Sequence, residues 1–302
     1  MRPGGDVSAR AELIGIDWGT SNLRVMRIAG GGEVLDVRSD PRGAARLAPG
    51  HFSDVLHDVA GDWFDDGTPA LVCGMAGARG KWREAAYRPC PAGLADLSPV
   101  CLGNDSQAIL IVPGVALSQD GALEDVMRGE ETQVMGLADA PGRRLVVTPG
   151  THSKWIRVED NAIQDFRTFM TGDLFAAIRT ETVLGQDMGN PGIDMDAFQD
   201  GVSRALADDA LTAALFSVRV ERLSDRLAAT STADYLSGLL IGAEIRAQGP
   251  ADGRSVTLIG APALNTRYAA ALAVAGFEDV HTLDGPTATA RGLWRIHEAH
   301  RR

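Results

Sequence analysis

Two short segments combine small residues, hydroxyls and a carboxylate in an order that suits phosphate chemistry. The first is Asp17-Trp18-Gly19-Thr20-Ser21-Asn22, directly after the apolar stretch Ile14-Gly15-Ile16. A glycine lets backbone N–H groups approach a phosphate closely, and Thr and Ser hydroxyls add short donors. Asp17, at the strand end, is placed to hold Mg²⁺ directly or through water. The second segment is Gly150-Thr151-His152-Ser153-Lys154, after the run Leu145-Val146-Val147-Thr148-Pro149. One such turn by itself reads as a hairpin with a polar tip. Two of them at matching places of a repeat read as paired phosphate clips.

The repeat continues beyond the turns. Val34-Leu35-Asp36-Val37-Arg38-Ser39 matches Ile163-Gln164-Asp165-Phe166-Arg167-Thr168. The second copy is shorter in between, and the difference falls in a turn, Gly30-Gly31-Gly32 against Glu159-Asp160-Asn161. Each copy therefore reads strand, Gly-Thr turn, strand, tight turn, strand. Two clips on duplicated domains define a nucleotide cleft. GxxxxGK[ST] does not occur, which excludes a P-loop enzyme, and no GxGxxG follows a strand, which disfavours a dinucleotide dehydrogenase. A third segment, Leu258 to Leu264, is a strand ending in small residues before a helix. Gly260, Ala261 and Pro262 there leave room for an adenine ring, or simply make a tight strand-to-helix turn.

Phosphoryl transfer also needs a group to take the hydroxyl proton. Glu130 and Glu131 open a helix leading to the second Gly-Thr turn. One of them is such a base, or both are acids favoured by the helix dipole. Asp173, in Thr171-Gly172-Asp173, is a rival base or a helix cap.

These residues need a framework of alternating strands and helices. Phe52, Val55, Leu56, Val59 and Trp63 recur at helical spacing, and Pro69 to Gly74 reads as a buried strand. Residues 75–107 have weak periodicity and many Gly, Pro and Arg residues, and read as a functional loop excursion. Ala108 to Val112 is a further strand. Glu130 to Leu137, residues 173–184, 194–216 and 231–248, Asn265 to Ala275, and a last segment from Pro286 to about His300 read as helices. Val256 to Gly260 and Val280 to Leu283 read as strands. The 302 residues exceed what one core usually holds, and the division is expected at Pro113-Gly114, giving domains 1–114 and 115–302.

Composition narrows the class. Lys and Arg number 29 against 40 Asp and Glu, a net charge of -11 that disfavours non-specific nucleic-acid binding. The longest apolar run is far too short to span a membrane. The opening residues MRPGGDVSAR lack an apolar core and read as a loose leader rather than a signal peptide. Cys73, Cys90 and Cys101 fit no CxxC spacing, and the six histidines form no ligand pair, so reduced thiols in a cytoplasmic protein are expected.

The three nucleotide segments in this order resemble the sugar-kinase, actin and heat-shock ATPase superfamily. The stretches IGIDWGTSNLR (14–24), CGMAGARGKW (73–82), DVMRGEETQVMG (125–136), VVTPGTHSKW (146–155), FRTFMTGDLF (166–175), DYLSGLLIGAEIR (234–246) and LIGAPAL (258–264) resemble the 2-dehydro-3-deoxygalactonokinase family. The chain departs from that family's pattern at Lys81, where Gly is usual, and at Asp173, where Glu is common. The resemblance implies an α/β chain of two duplicated ribonuclease-H-like domains with an ATP cleft between them, the actin-like ATPase fold. It implies ATP-dependent phosphorylation, with Mg²⁺, of the terminal hydroxyl of 2-dehydro-3-deoxy-D-galactonate. It points to Glu131 as the base, because Glu131-Thr132-Gln133 resembles an Asp-Thr-Gln of relatives. A sugar-acid carboxylate wants cations, which Arg79, Lys81, Arg83 and Arg88 supply, with Trp82, Glu84 and Tyr87 for the sugar. The same run could be a solvated basic loop. Arg167 is a further candidate, although its repeat counterpart Arg38 argues for a structural role. The expected partners are the sugar acid and ATP, with neither nucleic acid nor membrane, and a homodimer is a candidate assembly. A kinase for another sugar on the same fold and a non-catalytic nucleotide or sugar sensor are the alternatives.

Overall fold

The computed structural model describes residues 10–102, 109–186, 188–189, 193–207 and 210–301. The expected loose leader falls largely outside them, as does Ala108. The strands are β1 (Leu13–Trp18), β2 (Leu23–Ile28), β3 (Val34–Asp40), β4 (Ala70–Gly74), β5 (Arg88–Pro89), β6 (Val100–Cys101), β7 (Ile109–Ile111), β8 (Val115–Gln119), β9 (Ala122–Met127), β10 (Arg143–Thr148), β11 (Ser153–Glu159), β12 (Ala162–Phe169), β13 (Val256–Gly260) and β14 (Val280–Asp284). The helices are α1 (Phe52–Ala60), α2 (Glu130–Met135), α3 (Thr171–Glu181), α4 (Met195–Ala207), α5 (Leu211–Leu223), α6 (Thr232–Gln248), α7 (Pro262–Val274) and α8 (Gly285–His300).

Two sheets repeat one plan. The first has the order β3-β2-β1-β4-β7-β6, and the second β12-β11-β10-β13-β14. In each, three consecutive strands lie side by side, and the first of the three pairs in parallel with a later strand, β1 with β4 and β10 with β13. The duplicated meander read from the sequence is present. The chain forms two compact units that interleave instead of meeting at one boundary after residue 114. One is Met1–Gly142 with Ile156–Phe166 and Asp284–Arg302; the other is Arg143–Trp155 with Arg167–Leu283. The physical reason is α8, which returns at the chain end to pack on α2 and β1 of the first unit.

The first unit's core gathers the inward residues of β1, β2 and β4 against α1, whose Phe52, Val55, Leu56 and Ala60 are buried at helical spacing. Trp18 lies 4.7 Å from Phe52, ring to ring. In the second unit, Leu145, Val147, Trp155 and Leu258 of the sheet pack with Phe198, Val202 and Ile241 of α4 and α6.

Two differences from the sequence reading have local causes. The expected helix 194–216 is two helices, α4 and α5. Continuing the buried face of α4 (Phe198, Val202, Ala205) would turn Phe216 inward, yet Phe216 is exposed, and Ala210 leaves the helical region at ψ 75°. The hairpin β8–β9 was not anticipated. Its two-residue loop Asp120-Gly121 has φ 51° and 81°, the geometry that an Asp-Gly pair favours in hairpins.

The crossing of α2 and α8 holds the start of α2 in place. A Cβ on Gly292 would lie 1.8 Å from the Thr132 carbonyl oxygen, and one on Gly136 would lie 2.0 Å from that of Ala288. The backbones touch, so a methyl group has nowhere to go. Gly292→Ala is expected to cost about 1–3 kcal/mol in urea unfolding, the usual penalty for overpacking. An unchanged midpoint and slope would show that the two helices do not depend on this contact.

Candidate active site

The parallel pairing of β1 and β4 sets Asp17 beside Cys73 and Trp18 beside Gly74 at their carboxyl ends. The turn that follows β1 is pinned from behind. Gly19 N–H donates to the Asn22 carbonyl, and the carbonyls of Gly19, Thr20 and Ser21 accept from Ala44, Ala45 and Gly43. Thr20, Ser21 and Asn22 are exposed, so their polar side chains can meet a ligand. The Asp17 side chain is 24% exposed and its Oδ2 lies 3.3 Å from Arg24. Burial pushes its carboxyl above the ordinary range, and Arg24 opposes that shift.

Glu130 and Glu131 occupy the first turn of α2, and both reach back toward the loop before it. Oε2 of Glu130 accepts from Arg128 N–H at 3.1 Å, and Oε2 of Glu131 accepts from Gly129 N–H at 2.6 Å. Gly129 sits at φ 109°, which favours glycine. The Thr132 hydroxyl donates to Oε1 of Glu131 at 2.9 Å. Glu131 is 0% exposed, whereas Glu130 is half-buried. Burial, then the neighbouring Glu130, pushes the Glu131 carboxyl from 4.5 up to about 7. The Cys73 thiol is pushed up by its own burial and by the charges of Asp17 and Glu131, which places both acids around it.

The second Gly-Thr turn lies at the end of β10, and Gly260, Ala261 and Pro262 lie at and just after the end of its parallel neighbour β13. A Cβ on Gly260 would stand 3.4 Å from Pro149, so the two segments touch. Ala261 precedes α7 with an extended backbone and Pro262 opens it. Thr151 carbonyl accepts from the N–H groups of Gly172 and Asp173, which seats the start of α3 on the turn. A cavity of about 270 Å³ opens here, lined by Gly150, Gly172, Leu264, Tyr268, Asp234 and Arg267 among others. Nothing stands within 4 Å of where a Gly150 Cβ would be, and the Thr148 hydroxyl is buried with no hydrogen-bond partner among the described residues. The open glycine turn leaves room for a polyphosphate.

Some expected residues face elsewhere. Ser153 is 0% exposed and meets the Tyr268 hydroxyl at 2.8 Å, and Lys154 is 5% exposed. His152 Nε2 and Asp173 Oδ2 are 2.6 Å apart, both exposed, so Asp173 is a partner of His152. Trp82 stacks on Phe52 at 5.7 Å and belongs to the first unit's core. Lys81 Nζ donates to the Leu47 carbonyl at 3.3 Å. Arg79, Arg83 and Glu84 are exposed. Arg167 donates to the Ala247 carbonyl at 3.4 Å and lies over Phe169, a structural placement.

Four residues escaped sequence reasoning. Arg128 lies 4.3 Å over the Tyr87 ring, with Nη2 donating to the Ala85 carbonyl at 2.7 Å. Asp234 and Arg267 form an ion pair on the cavity wall. Glu244 is buried in α6. For Glu244 a signal existed: a carboxylate inside the apolar helical run Leu239-Leu240-Ile241-Gly242-Ala243-Glu244-Ile245.

Paired sheets of this topology, with glycine turns at the ends of parallel strands, define an α/β chain of the actin-like ATPase fold. The family model for 2-keto-3-deoxy-galactonokinase matches residues 17–296, and the chain belongs to that family. It is 39% identical to a Rhizobium meliloti protein named as a 2-dehydro-3-deoxygalactonokinase, over 93% of this chain and 97% of that protein. It is 35% identical to the Escherichia coli 2-dehydro-3-deoxygalactonokinase, over 96% and 98% respectively. A crystal structure from Sinorhizobium meliloti, described as the same kind of kinase, superimposes with a TM-score of 0.86 at 36% identity, over 95% of this chain and 98% of that one. Among the described residues no helix is long and apolar enough to cross a membrane.

The Glu131 shift has a consequence for stability. Folded protein keeps a proton that the unfolded chain releases near pH 4.5. Glu131's contribution is therefore full below about pH 4.5, is lost as pH rises to about 7, and changes no further above that. Relative to Glu131→Gln, which cannot ionise, the wild type should lose about 3 kcal/mol across this window. Urea melts at several pH values measure it, and parallel profiles for the two proteins would contradict the buried-acid assignment.

Proposed function

We propose that this chain transfers the γ-phosphoryl group of ATP to the terminal hydroxyl of 2-dehydro-3-deoxy-D-galactonate, giving 2-dehydro-3-deoxy-6-phosphogalactonate in galactonate breakdown. The observation that supports it best is end-to-end similarity to relatives named for that activity, joined to a glycine turn and cavity suited to a nucleotide. The cavity falls just below the ~300–1,000 Å³ common for small-molecule sites. Gly150 and Thr151 bind phosphates, with Thr20, Ser21 and Asn22 as the second clip. Gly260, Ala261 and Pro262 flank the adenosine. The sugar-acid carboxylate goes to the basic excursion, where Arg79 and Arg83 are free to reach it and Arg128 is held against Tyr87.

Among the described residues no cluster of three or more His, Cys, Asp or Glu could hold a metal. Mg²⁺ binds through one or two carboxylates together with substrate phosphates. Asp17 is the carboxylate that would hold it, and the bound ion would neutralise charge on the phosphate oxygens.

In the reaction the sugar hydroxyl oxygen forms a bond to the γ-phosphorus. The bond to the β,γ-bridging oxygen breaks, ADP leaves, and the hydroxyl proton passes to a carboxylate. Glu131 is assigned that proton because a base poised near neutrality matches the operating pH. To reach substrate, Glu131 has to be uncovered, and the Arg128-Gly129 turn above its carboxylate is what must shift. Glu130 is the second reading, favoured by its partial exposure. A cytoplasmic setting and a homodimer complete the proposal.

ADP release measured across a panel of ketodeoxy sugar acids tests the substrate. Turnover should be fastest with 2-dehydro-3-deoxy-D-galactonate; turnover of another sugar alone moves the assignment to a different kinase, and none at all favours a sensor. Glu131→Gln should bind both substrates and lose kcat by roughly 10²–10⁴. Glu130→Gln should lose far less, with thermal melts as the folding control. The reverse pattern moves the base to Glu130, and near-full activity of both removes the pair from the chemistry.

A further inference from the structure

The second unit buries an acid that the reaction scheme does not use. Glu244 is 2% exposed on α6, a helix whose Leu239, Leu240, Ile241 and Ile245 are also buried. A carboxylate in such surroundings is retained only with good partners. Hydroxyls donate to it, among them Thr171 to Oε1 at 2.9 Å and Tyr268 to Oε2 at 2.7 Å. The Tyr268 hydroxyl in turn meets Ser153 at 2.8 Å.

The network spans three elements, two of which line the cavity assigned to nucleotide. Thr171 opens α3, which is seated on the second Gly-Thr turn, and it lines the cavity. Tyr268 belongs to α7, the helix that the adenosine segment begins, and it lines the same cavity. Ser153 is the first residue of β11, directly after His152 of the phosphate turn. One carboxylate thus ties the phosphate side of the cavity to its adenosine side.

We infer that Glu244 is a positioning residue for the nucleotide: it touches no substrate, and it sets the spacing between the phosphate turn, the start of α3 and α7 through Thr171, Tyr268 and Ser153. This rests on the nucleotide assignment of that cavity. Glu244→Gln keeps the volume but removes the charge and one acceptor oxygen, so the hydroxyl on the amide side can no longer donate to this residue. ADP is the probe, measured by calorimetry on the full chain without sugar. Because the network sets the spacing of groups that line the cavity, its loss should raise the ADP Kd roughly 10-fold. The KM for ATP should rise with it, while the sugar-acid KM stays within about twofold.

Tyr268→Phe removes the middle hydroxyl and should weaken ADP in the same direction. Because both changes cut one network, the double variant should bind ADP no more weakly than the sum of the singles, and short of it. If Glu244→Gln does not fold, Tyr268→Phe and Thr171→Val carry the test. Folded variants with unchanged ADP Kd overturn the inference. So does an equal rise in ATP and sugar-acid KM, or a loss of active fraction with both KM values intact, because each marks a general structural role. A wild type that binds ADP but phosphorylates no ketodeoxy acid counts against the proposed reaction and leaves this inference to its own variants.

Discussion

Two parallel strand pairs fix where chemistry can occur in this chain. Parallel neighbours end at the same edge of a sheet, and ligands of open α/β sheets bind at that carboxyl edge. Here β1 lies beside β4 and β10 beside β13, so each pair presents its glycine-bearing turns together. In the first unit this gathers Asp17, Cys73 and the start of α2. In the second it gathers Gly150, Gly260 and the start of α3. Among the described residues neither set contains three or more His, Cys, Asp or Glu placed to hold a metal. What both offer is positioned donors and a few carboxylates, which suits a reaction that depends on placement and charge neutralisation.

The acids around these edges are kept by different means. Asp17 retains some exposure and an arginine partner. Glu131 has neither, and holds its proton to about neutrality while a backbone N–H and a threonine hydroxyl bind its oxygens. Glu244 relies on hydroxyl donors. Three environments therefore leave three acids in different states: one partly exposed beside an arginine, one buried with its carboxyl pushed up, and one buried among hydroxyl donors. The α2 helix that carries Glu131 meets α8 by direct backbone contact at Gly136 and Gly292.

The sequence was legible where local pattern carries the information. Apolar runs followed by Gly-Thr located β1 and β10 with their turns, and their repetition exposed the two-sheet plan. Side-chain direction was less legible. Ser153 and Lys154 follow the phosphate turn in order but start a strand covered on both faces, so both are buried. Trp82 sits among arginines in sequence, yet the nearest apolar surface is Phe52 and Trp18, 30 or more positions away. Interleaving of the units was hidden as well, because it depends on α8 returning to elements near the start of the chain. The Glu244 network joins residues 24 to 115 positions apart, a distance over which periodicity says nothing.

The central claim is that nucleotide occupies the carboxyl edge of β10 and β13. Hydrogen exchange read by mass spectrometry, on the full chain with and without a non-hydrolysable ATP analogue and Mg²⁺, tests it most directly. The account predicts slowed exchange in the segments around Pro149–Ser153, the first turn of α3 and Gly260–Leu264, with α5 unchanged as the internal control. Saturating analogue that leaves these three segments exchanging as in the free protein, or protects α5 instead, would contradict it.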